Sequence, residues 1–269
     1  MTILVTGATG KVGRHVVSQL VERGERVRAL TRNPARASFP RGVEVAAGDL
    51  TVAESLAPAL DGVTALHLLT VAGEDLSLLE NGGEIVDLAV KAGVERISVL
   101  GSFYEGTVEA ALRERGLPWT QLLCVEFMSN AFEWMDGVRA GVVHHFGNLP
   151  GAVVHEADIA AVSVAALTED GHAGQAYMIS GPELNTPAER VRMIGEAIGR
   201  EVEFRELTEA QVRERMAAEG AEQEMIEFTV MLGTNPPKEG AIVQPTVQQV
   251  TGRPGRTFAQ WARENAGAF

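Results

Sequence analysis

The sequence predicts an α/β fold: a doubly wound parallel sheet carrying a small, mostly helical C-terminal lid. Three observations lead there. Short apolar or β-branched runs alternate with helix-period stretches through the first half of the chain, which is the pattern of βαβ crossovers. The opening stretch, TILVTGATGKVGRHVV, places Gly7, Gly10 and Gly13 between a strand-like run and an amphipathic helix. Past Asn130 the rhythm changes, and helical stretches dominate with only brief strands between them.

Taken in order, strands are expected at 3–6, 26–31, 43–47, 65–69, 96–100 and 120–124. Helices are expected between them at 12–23, 55–60, 79–92 and 108–115. Gly24, Gly62, Gly93 and Gly116 each stand just past one of these stretches, where a left-handed residue ends a helix. In the second half, helices are expected at 156–167, 186–199, 208–219 and 223–232, with strands at 176–179 and 202–204. GTNPPKEG reads as a loop and TFAQWAREN as a closing helix.

Composition narrows the function. The 269 residues are 45% hydrophobic and 22% charged, as in an ordinary globular protein. A formal net charge of −13 opposes binding to nucleic acid or an anionic membrane, since no basic stripe neutralises phosphates. It leaves room for a small anionic ligand held by a local cluster of donors. The single cysteine, Cys124, excludes an intramolecular disulfide and suits a reducing cytoplasm. The apolar run at 3–5 is too short for a signal peptide, and no stretch has the length of a membrane span. His144 and His145 are adjacent and point apart on a strand, so no metal site is expected. The expected partner is a small-molecule substrate, and the chain is expected to be a monomer or homodimer.

The glycine loop follows a strand and opens a helix, the context in which such loops bind pyrophosphate. Gly7 permits the tight turn, Gly10 lets the backbone approach phosphate, and Gly13 is expected to let the helix pack close to the sheet. The helix N-terminus supplies free amides and a positive partial charge. Thr9, Lys11 and Val12 complete the loop. The second strand ends in ALTRNPAR, with Arg32 where an NAD-preferring site would carry an acidic residue for the ribose 2′-hydroxyl. A guanidinium fork there suits a 2′-phosphate, and Lys11 can reach the same group. The competing reading is that both are solvated surface charges. Asn33 and Pro34 read as the N-cap and first residue of a further short helix. Asp49, in the GDL that follows the third strand, is placed to hold an adenine amino group. Leu50, Leu69, Thr70, Gly101, Ser102 and Cys124, at later strand ends, join the candidate contacts to NADP(H). This gives a Rossmann-like NADP-binding domain at 1–150 and a substrate or lid region at 151–269, the two interleaved with no clear linker between them.

With TGATGKVG, LTRNP, AGDL, ALDGV and GLPWTQL…FMSN in hand, the sequence resembles the atypical short-chain dehydrogenases of the NmrA-like group. ADIAAVSVAAL, YMISGPE, IGEAIGREVEF and VTGRPGRTFAQWA are similar to bacterial relatives of the ergot-alkaloid reductases of the festuclavine and agroclavine type. The resemblance implies an NADPH-dependent reductase of a small unsaturated or aromatic molecule, and it places Phe127 against the cofactor. Some members of the group bind the dinucleotide without known turnover and act as redox sensors, which gives the alternative reading. The chain departs from its relatives in several places. Gly101 stands where many carry serine, with Ser102 displaced by one. Glu105 stands where a lysine falls, no Tyr-x-x-x-Lys dyad is present nearby, and Leu123 and Cys124 replace an Arg-Pro pair.

Ligands bind outside the carboxyl ends of parallel strands, which selects the segments 69–73, 101–106 and 124–130. Ser102 and Tyr104 are the hydroxyls placed there. Tyr104 is either a proton donor or merely a loop tyrosine. Glu126, among apolar neighbours, is either a carboxylate that meets a cationic substrate or donates a proton, or a charge at the rim. Cys124 reads as a small buried hydrophobe beside the cofactor. His155 either lines the cleft or has a capping or surface role, Asp158 at a helix start caps or bonds to backbone rather than catalysing, and Met216, Met225 and Met231 read as part of a solvated lid helix or a substrate mouth. An iminium substrate would be neutralised by hydride alone, without any acid.

Overall fold

The structure, a computed structural model, describes residues 1–72 and 77–269. The chain runs through β1 (Thr2–Val5), α1 (Gly13–Glu22), β2 (Arg26–Thr31), β3 (Glu44–Ala47), α2 (Ala57–Leu60), β4 (Ala65–Leu69), the short strands β5 (Val71–Ala72) and β6 (Ser77–Leu78), α3 (Gly82–Ala92), β7 (Arg96–Gly101), α4 (Thr107–Glu114) and β8 (Thr120–Cys124). It continues through α5 (Met135–Ala140), β9 (Val142–Phe146), α6 (Glu156–Thr168), β10 (Ala176–Ile179), α7 (Pro187–Ile198), β11 (Glu203–Leu207), α8 (Glu209–Ala218), α9 (Gln223–Thr234), α10 (Thr246–Thr251) and α11 (Phe258–Glu264).

Two compact units form. The first comprises Met1–Cys124, Glu156–Ile179 and Thr246–Arg253; the second comprises Val125–His155, Ser180–Pro245 and Pro254–Phe269. The boundary therefore does not fall at 150, as the sequence suggested. The reason lies in α6, which is buried at every residue from Glu156 to Leu167. A helix buried on all sides cannot serve as a solvated lid. It packs on α1 and against β4, β7 and β8, and β10 behind it pairs with β8 as the last strand of the sheet.

The sheet of the first unit has seven parallel strands in the order β10-β8-β7-β4-β1-β2-β3. The chain moves outward from β1 to β3, then crosses back to place β4 on the other side of β1. The β1–β4 boundary is thus the topological switch point, where doubly wound sheets bind their ligands. Both faces are covered. Along β4, Leu66 and Leu68 join the apolar cluster with Ile85, Val86, Val108 and Leu112 of α3 and α4, whereas His67 between them reaches Ser163 of α6. Gly24, Gly62, Gly93 and Gly116 all adopt positive φ, as expected for residues that end helices. The helix expected from residue 79 starts at Gly82, because the Leu79 amide is held by the Thr70 carbonyl at 2.9 Å. The stretch at 55–60 divides into a 3₁₀ turn, Ala53–Leu56, and the single turn of α2.

In the second unit, β9 pairs in parallel with β11. Its core is built on Trp134, Val143, Val191, Ile194, Phe258 and Trp261. Helix α7 begins at a Thr186 capping box with Pro187 in the first turn, and α11 at a matching box on Thr257. Helix α5 and the 3₁₀ segment Met128–Trp134 are additions to the elements read from sequence, and β9 is the strand that carries His144 and His145; the loop expected at 233–240 contains a 3₁₀ turn at Lys238–Ala241. Among the described residues, no helix is long and apolar enough to cross a membrane.

Candidate functional site

Because every strand of the large sheet is parallel, all their carboxyl ends meet one edge. Read along that edge, the residues after each strand are Asp49 and Leu50 (β3), Arg32 (β2), the loop from Thr6 to Val12 (β1), Leu69 and Thr70 (β4), Gly101 and Ser102 (β7) and the last residue of β8, Cys124. Sequence order scatters these groups over more than a hundred positions; the topology brings them into one row. At about 4.8 Å per strand, β2 and β7 stand about 14 Å apart, with the glycine loop between them.

The loop's geometry shows what each glycine is for. Gly7 has φ +57, and a Cβ there would lie 2.3 Å from Leu69 Cδ1, so glycine is required both for the turn and for the approach of Leu69. A Cβ on Gly13 would lie 2.1 Å from the Gly7 carbonyl oxygen and 3.0 Å from Ala8 Cα. Gly13 therefore closes the loop on itself, rather than packing helix against sheet as its place in the motif suggested. Gly10 differs from both: among the described residues, a Cβ there would have one near neighbour, the Gly7 oxygen, at 3.0 Å. Thr9, Gly10 and Lys11 are exposed, while Val12 is buried beneath them. No side chain caps the N-terminus of α1. The result is a backbone cradle that a side chain at residue 10 would fill, with helix amides facing it, and these features fit a dinucleotide pyrophosphate.

Arg32 follows β2 directly and is exposed. Asn33 and Pro34 do not open a helix of useful length. Only a three-residue 3₁₀ turn follows, Asn33 makes no side-chain cap, and its amide donates instead to Thr31 Oγ1. Such a turn has no macrodipole to offer a phosphate, so the guanidinium is the feature that remains. Asp49 Oδ1 accepts from both the amide and the hydroxyl of Thr51, each at 2.9 Å. The Thr51 amide holds this carboxyl below its usual range against the opposing effect of desolvation, aided by the Thr51 hydroxyl and the charge of Arg32. Asp49 thus stays ionised near Arg32, and an amino group placed here would meet Oδ2.

Toward β7 and β8, the Thr70 amide is bonded to the Leu100 carbonyl, which ties the ends of β4 and β7 together. Gly101 ends β7. Ser102 Oγ donates to the Tyr104 carbonyl and accepts from the Tyr104 amide, forming a local turn. The Tyr104 side chain is 77% exposed. Cys124 is partly buried, and its apolar surroundings push the thiol pKa up, which disfavours a thiolate. Gly73, at the end of the segment 69–73, lies outside the described residues. Two buried polar groups near this edge escaped the sequence reading. His67 bonds Ser163, which bonds Ser98, at 2.8 Å each. Glu109 of α4 is 1% exposed. A histidine inside ALHLL and a glutamate inside a helical repeat carry no mark in sequence that separates them from surface residues. A concavity of the first unit, lined by Arg96, Trp119 and Ala166, opens at the amino ends of β7 and β8.

The remaining candidates belong to the second unit, Asp158 excepted. Glu126 Oε1 accepts from Arg190 at 2.9 Å; the arginine is 3% exposed and lies over the Trp134 ring, 5.3 Å from its centroid. Glu126 is therefore paired with a buried cation, while its own side chain stays 45% exposed. Phe127 forms a parallel bridge with Val154. His155 is buried, not superficial, and its Nε2 lies 3.1 Å from Glu264 Oε2. Asp158 is buried in the first turn of α6. Met225 and Met231 are exposed on α9, and Met216 is half-buried.

Residues 1–103 match the model of the NmrA-like family. A (4-alkanoyl-5-oxo-2,5-dihydrofuran-3-yl)methyl phosphate reductase of Streptomyces griseus is 37% identical over 283 residues, covering 99% of both chains. An NAD(P)H azoreductase of Xenophilus azovorans is 32% identical over 284 residues, again across 99% of each. Among solved structures, the triphenylmethane reductase of Citrobacter sp., complexed with NADP(H), superposes with a TM-score of 0.81 over 98% of this chain and 99% of its own, at 24% identity, and so shares the fold. End-to-end identity at this level, on a seven-stranded parallel sheet with a glycine loop at its switch point, shows that the chain belongs to the NmrA-like family.

Proposed function

We propose that this protein is an NADPH-dependent reductase that delivers hydride to an electron-poor double bond of a small, largely apolar organic molecule. The observation that carries the reading is the row of groups along the carboxyl edge: Arg32 for a 2′-phosphate, the Gly7–Gly13 cradle for the pyrophosphate, and the ends of β4, β7 and β8 for the reacting half. When bound, the dinucleotide supplies the hydride. The chain's own residues bind and orient it. Lys11 and Arg32 select the phosphorylated form, and the first amides of α1 meet the pyrophosphate.

The relatives favour conjugated acceptors. The Streptomyces protein is named for a phosphate ester of a dihydrofuranone whose ring double bond bears two carbonyls on one of its carbons, and the Xenophilus protein for azo compounds. Hydride addition to such a bond leaves a stabilised anion, so solvent or a weakly held hydroxyl suffices as proton source. That agrees with a chain lacking the Tyr-x-x-x-Lys dyad. Acyl-butenolides, quinones and cyclic imines are the substrate classes proposed, with a role in secondary metabolism; the resemblance to ergot-alkaloid reductases supports the imines. The second reading, a non-catalytic NADP(H)-binding redox sensor, is favoured by the exposure of Tyr104. NADPH oxidation followed by absorbance over a panel of acyl-butenolides, quinones, azo dyes and cyclic imines separates the two. Substrate-dependent turnover supports the reductase. Tight NADPH binding with no oxidation across the panel selects the sensor.

A further inference from the structure

Among the described residues, two buried polar atoms at the carboxyl edge have no hydrogen-bond partner: Glu109 Oε1 and Thr70 Oγ1. Both residues are 1% exposed. A buried oxygen left unpaired costs about 1–3 kcal/mol, more if charged, so each such group calls for an explanation. The two converge. A Cβ on Gly101 would lie 2.6 Å from Glu109 Oε1 and 3.3 Å from Thr70 Oγ1. The carboxylate therefore occupies the space of a side chain at the end of β7, which is why that residue is glycine.

The rest of Glu109 is fixed. Its Oε2 accepts from the Gly106 amide at 3.1 Å, at the start of α4. Arg113, one turn along, feels the charge of Glu109 but gives its hydrogen bond to Glu105. Oε1 is thus a held acceptor, and beside it stands a hydroxyl able to donate. The complementary ligand group carries a donor and an acceptor side by side, which describes a primary amide.

We propose that Glu109 and Thr70 seat the carboxamide of the nicotinamide ring over Gly101, its NH₂ donating to Glu109 Oε1 and its carbonyl accepting from the Thr70 hydroxyl. This rests on the reading that the dinucleotide lies across the carboxyl edge with its phosphates on the glycine loop. β4 and β7 are adjacent strands on the side of that loop away from Arg32, so the seat lies at the opposite end of the row from the 2′-phosphate. Glu109 and Thr70 fix the ring's orientation and so act as positioning residues.

The test replaces the amide by a carboxylate. Dissociation constants of NADP⁺, of nicotinic acid adenine dinucleotide phosphate and of 2′-phospho-ADP-ribose are measured by calorimetry for the wild type, Glu109→Gln and Thr70→Val. In the wild type the acid analogue meets the Glu109 carboxylate and binds roughly thirtyfold or more weakly than NADP⁺. Glu109→Gln, which can donate to the acid, closes that gap to about threefold or less. Thr70→Val weakens NADP⁺ by roughly three- to tenfold and leaves 2′-phospho-ADP-ribose, which has no nicotinamide, unchanged. A wild-type gap under threefold, the same gap in Glu109→Gln, or equal NADP⁺ binding by Thr70→Val overturns the proposal and leaves a buried water as the partner of these atoms. Should Glu109→Gln fail to fold, the wild-type ratio and Thr70→Val decide. Loss of 2′-phospho-ADP-ribose binding in the wild type would refute the phosphate placement separately, since the ratio between the two dinucleotides does not depend on it.

Discussion

The loop glycines allow a sharp separation between filling the ligand's space and breaking the loop. In Gly13→Ala, the new Cβ would sit 2.1 Å from the Gly7 oxygen and 2.7 Å from the Gly7 carbon, where ordinary contacts begin at 3.4 Å. Backbone must therefore move by about 1 Å, and overpacking of this kind costs about 1–3 kcal/mol of stability. A misplacement of that size in a positioning element costs on the order of a hundredfold in function. Gly10→Val has the opposite profile. Among the described residues, its Cβ would meet only the Gly7 oxygen, at 3.0 Å, so the fold should keep its stability to within about 1 kcal/mol. Its branched side chain, however, stands in the cradle and should abolish NADPH binding. Urea denaturation and calorimetric titration of both variants supply the test. Gly13→Ala should lose stability and affinity together; Gly10→Val should lose affinity alone. Normal NADPH binding by Gly10→Val would show that the loop does not contact phosphate, and an unshifted denaturation midpoint for Gly13→Ala would refute the loop-closing role.

Other perturbations reach the remaining groups. NADPH should bind at least tenfold more tightly than NADH, a difference of about 1.4 kcal/mol, and Arg32→Ala should erase most of that gap with little change for NADH; equal affinities in the unmutated protein would refute the 2′-phosphate assignment. Tyr104→Phe should cost less than about tenfold in turnover on any substrate the panel reveals, whereas loss of a required general acid typically costs about 10² to 10⁴-fold. Burial lowers the His67 pKa from 6.5 to about 4, so the native state takes up this proton less readily than the unfolded chain. The stabilisation is fully present above pH 6.5 and is lost as the pH falls toward 4, amounting to about 3 kcal/mol over that window. Denaturation midpoints across that range should fall more steeply for the wild type than for His67→Gln, and parallel profiles would refute the assignment.

The sequence by itself determined the period of the chain. The strands at 26–31, 65–69, 120–124 and 176–179 occur at the bounds read from their apolar runs, because a parallel sheet buried on both faces needs runs of that kind. The glycine loop, Arg32 and the helix-ending glycines were legible for the same local reason: each answers a backbone or charge requirement of its own neighbourhood. What only the tertiary structure decided depends on contacts made far along the chain. It assigned α6 and β10 to the sheet unit and gave Gly13 a neighbour in Gly7. It buried Arg190 beneath Glu126 and brought Glu109 to within reach of Thr70 above a residue that must lack a side chain. Periodicity reports which face of an element is apolar. Which polar atoms remain unpaired between two such faces is set by strand order and by the packing of helices on the sheet.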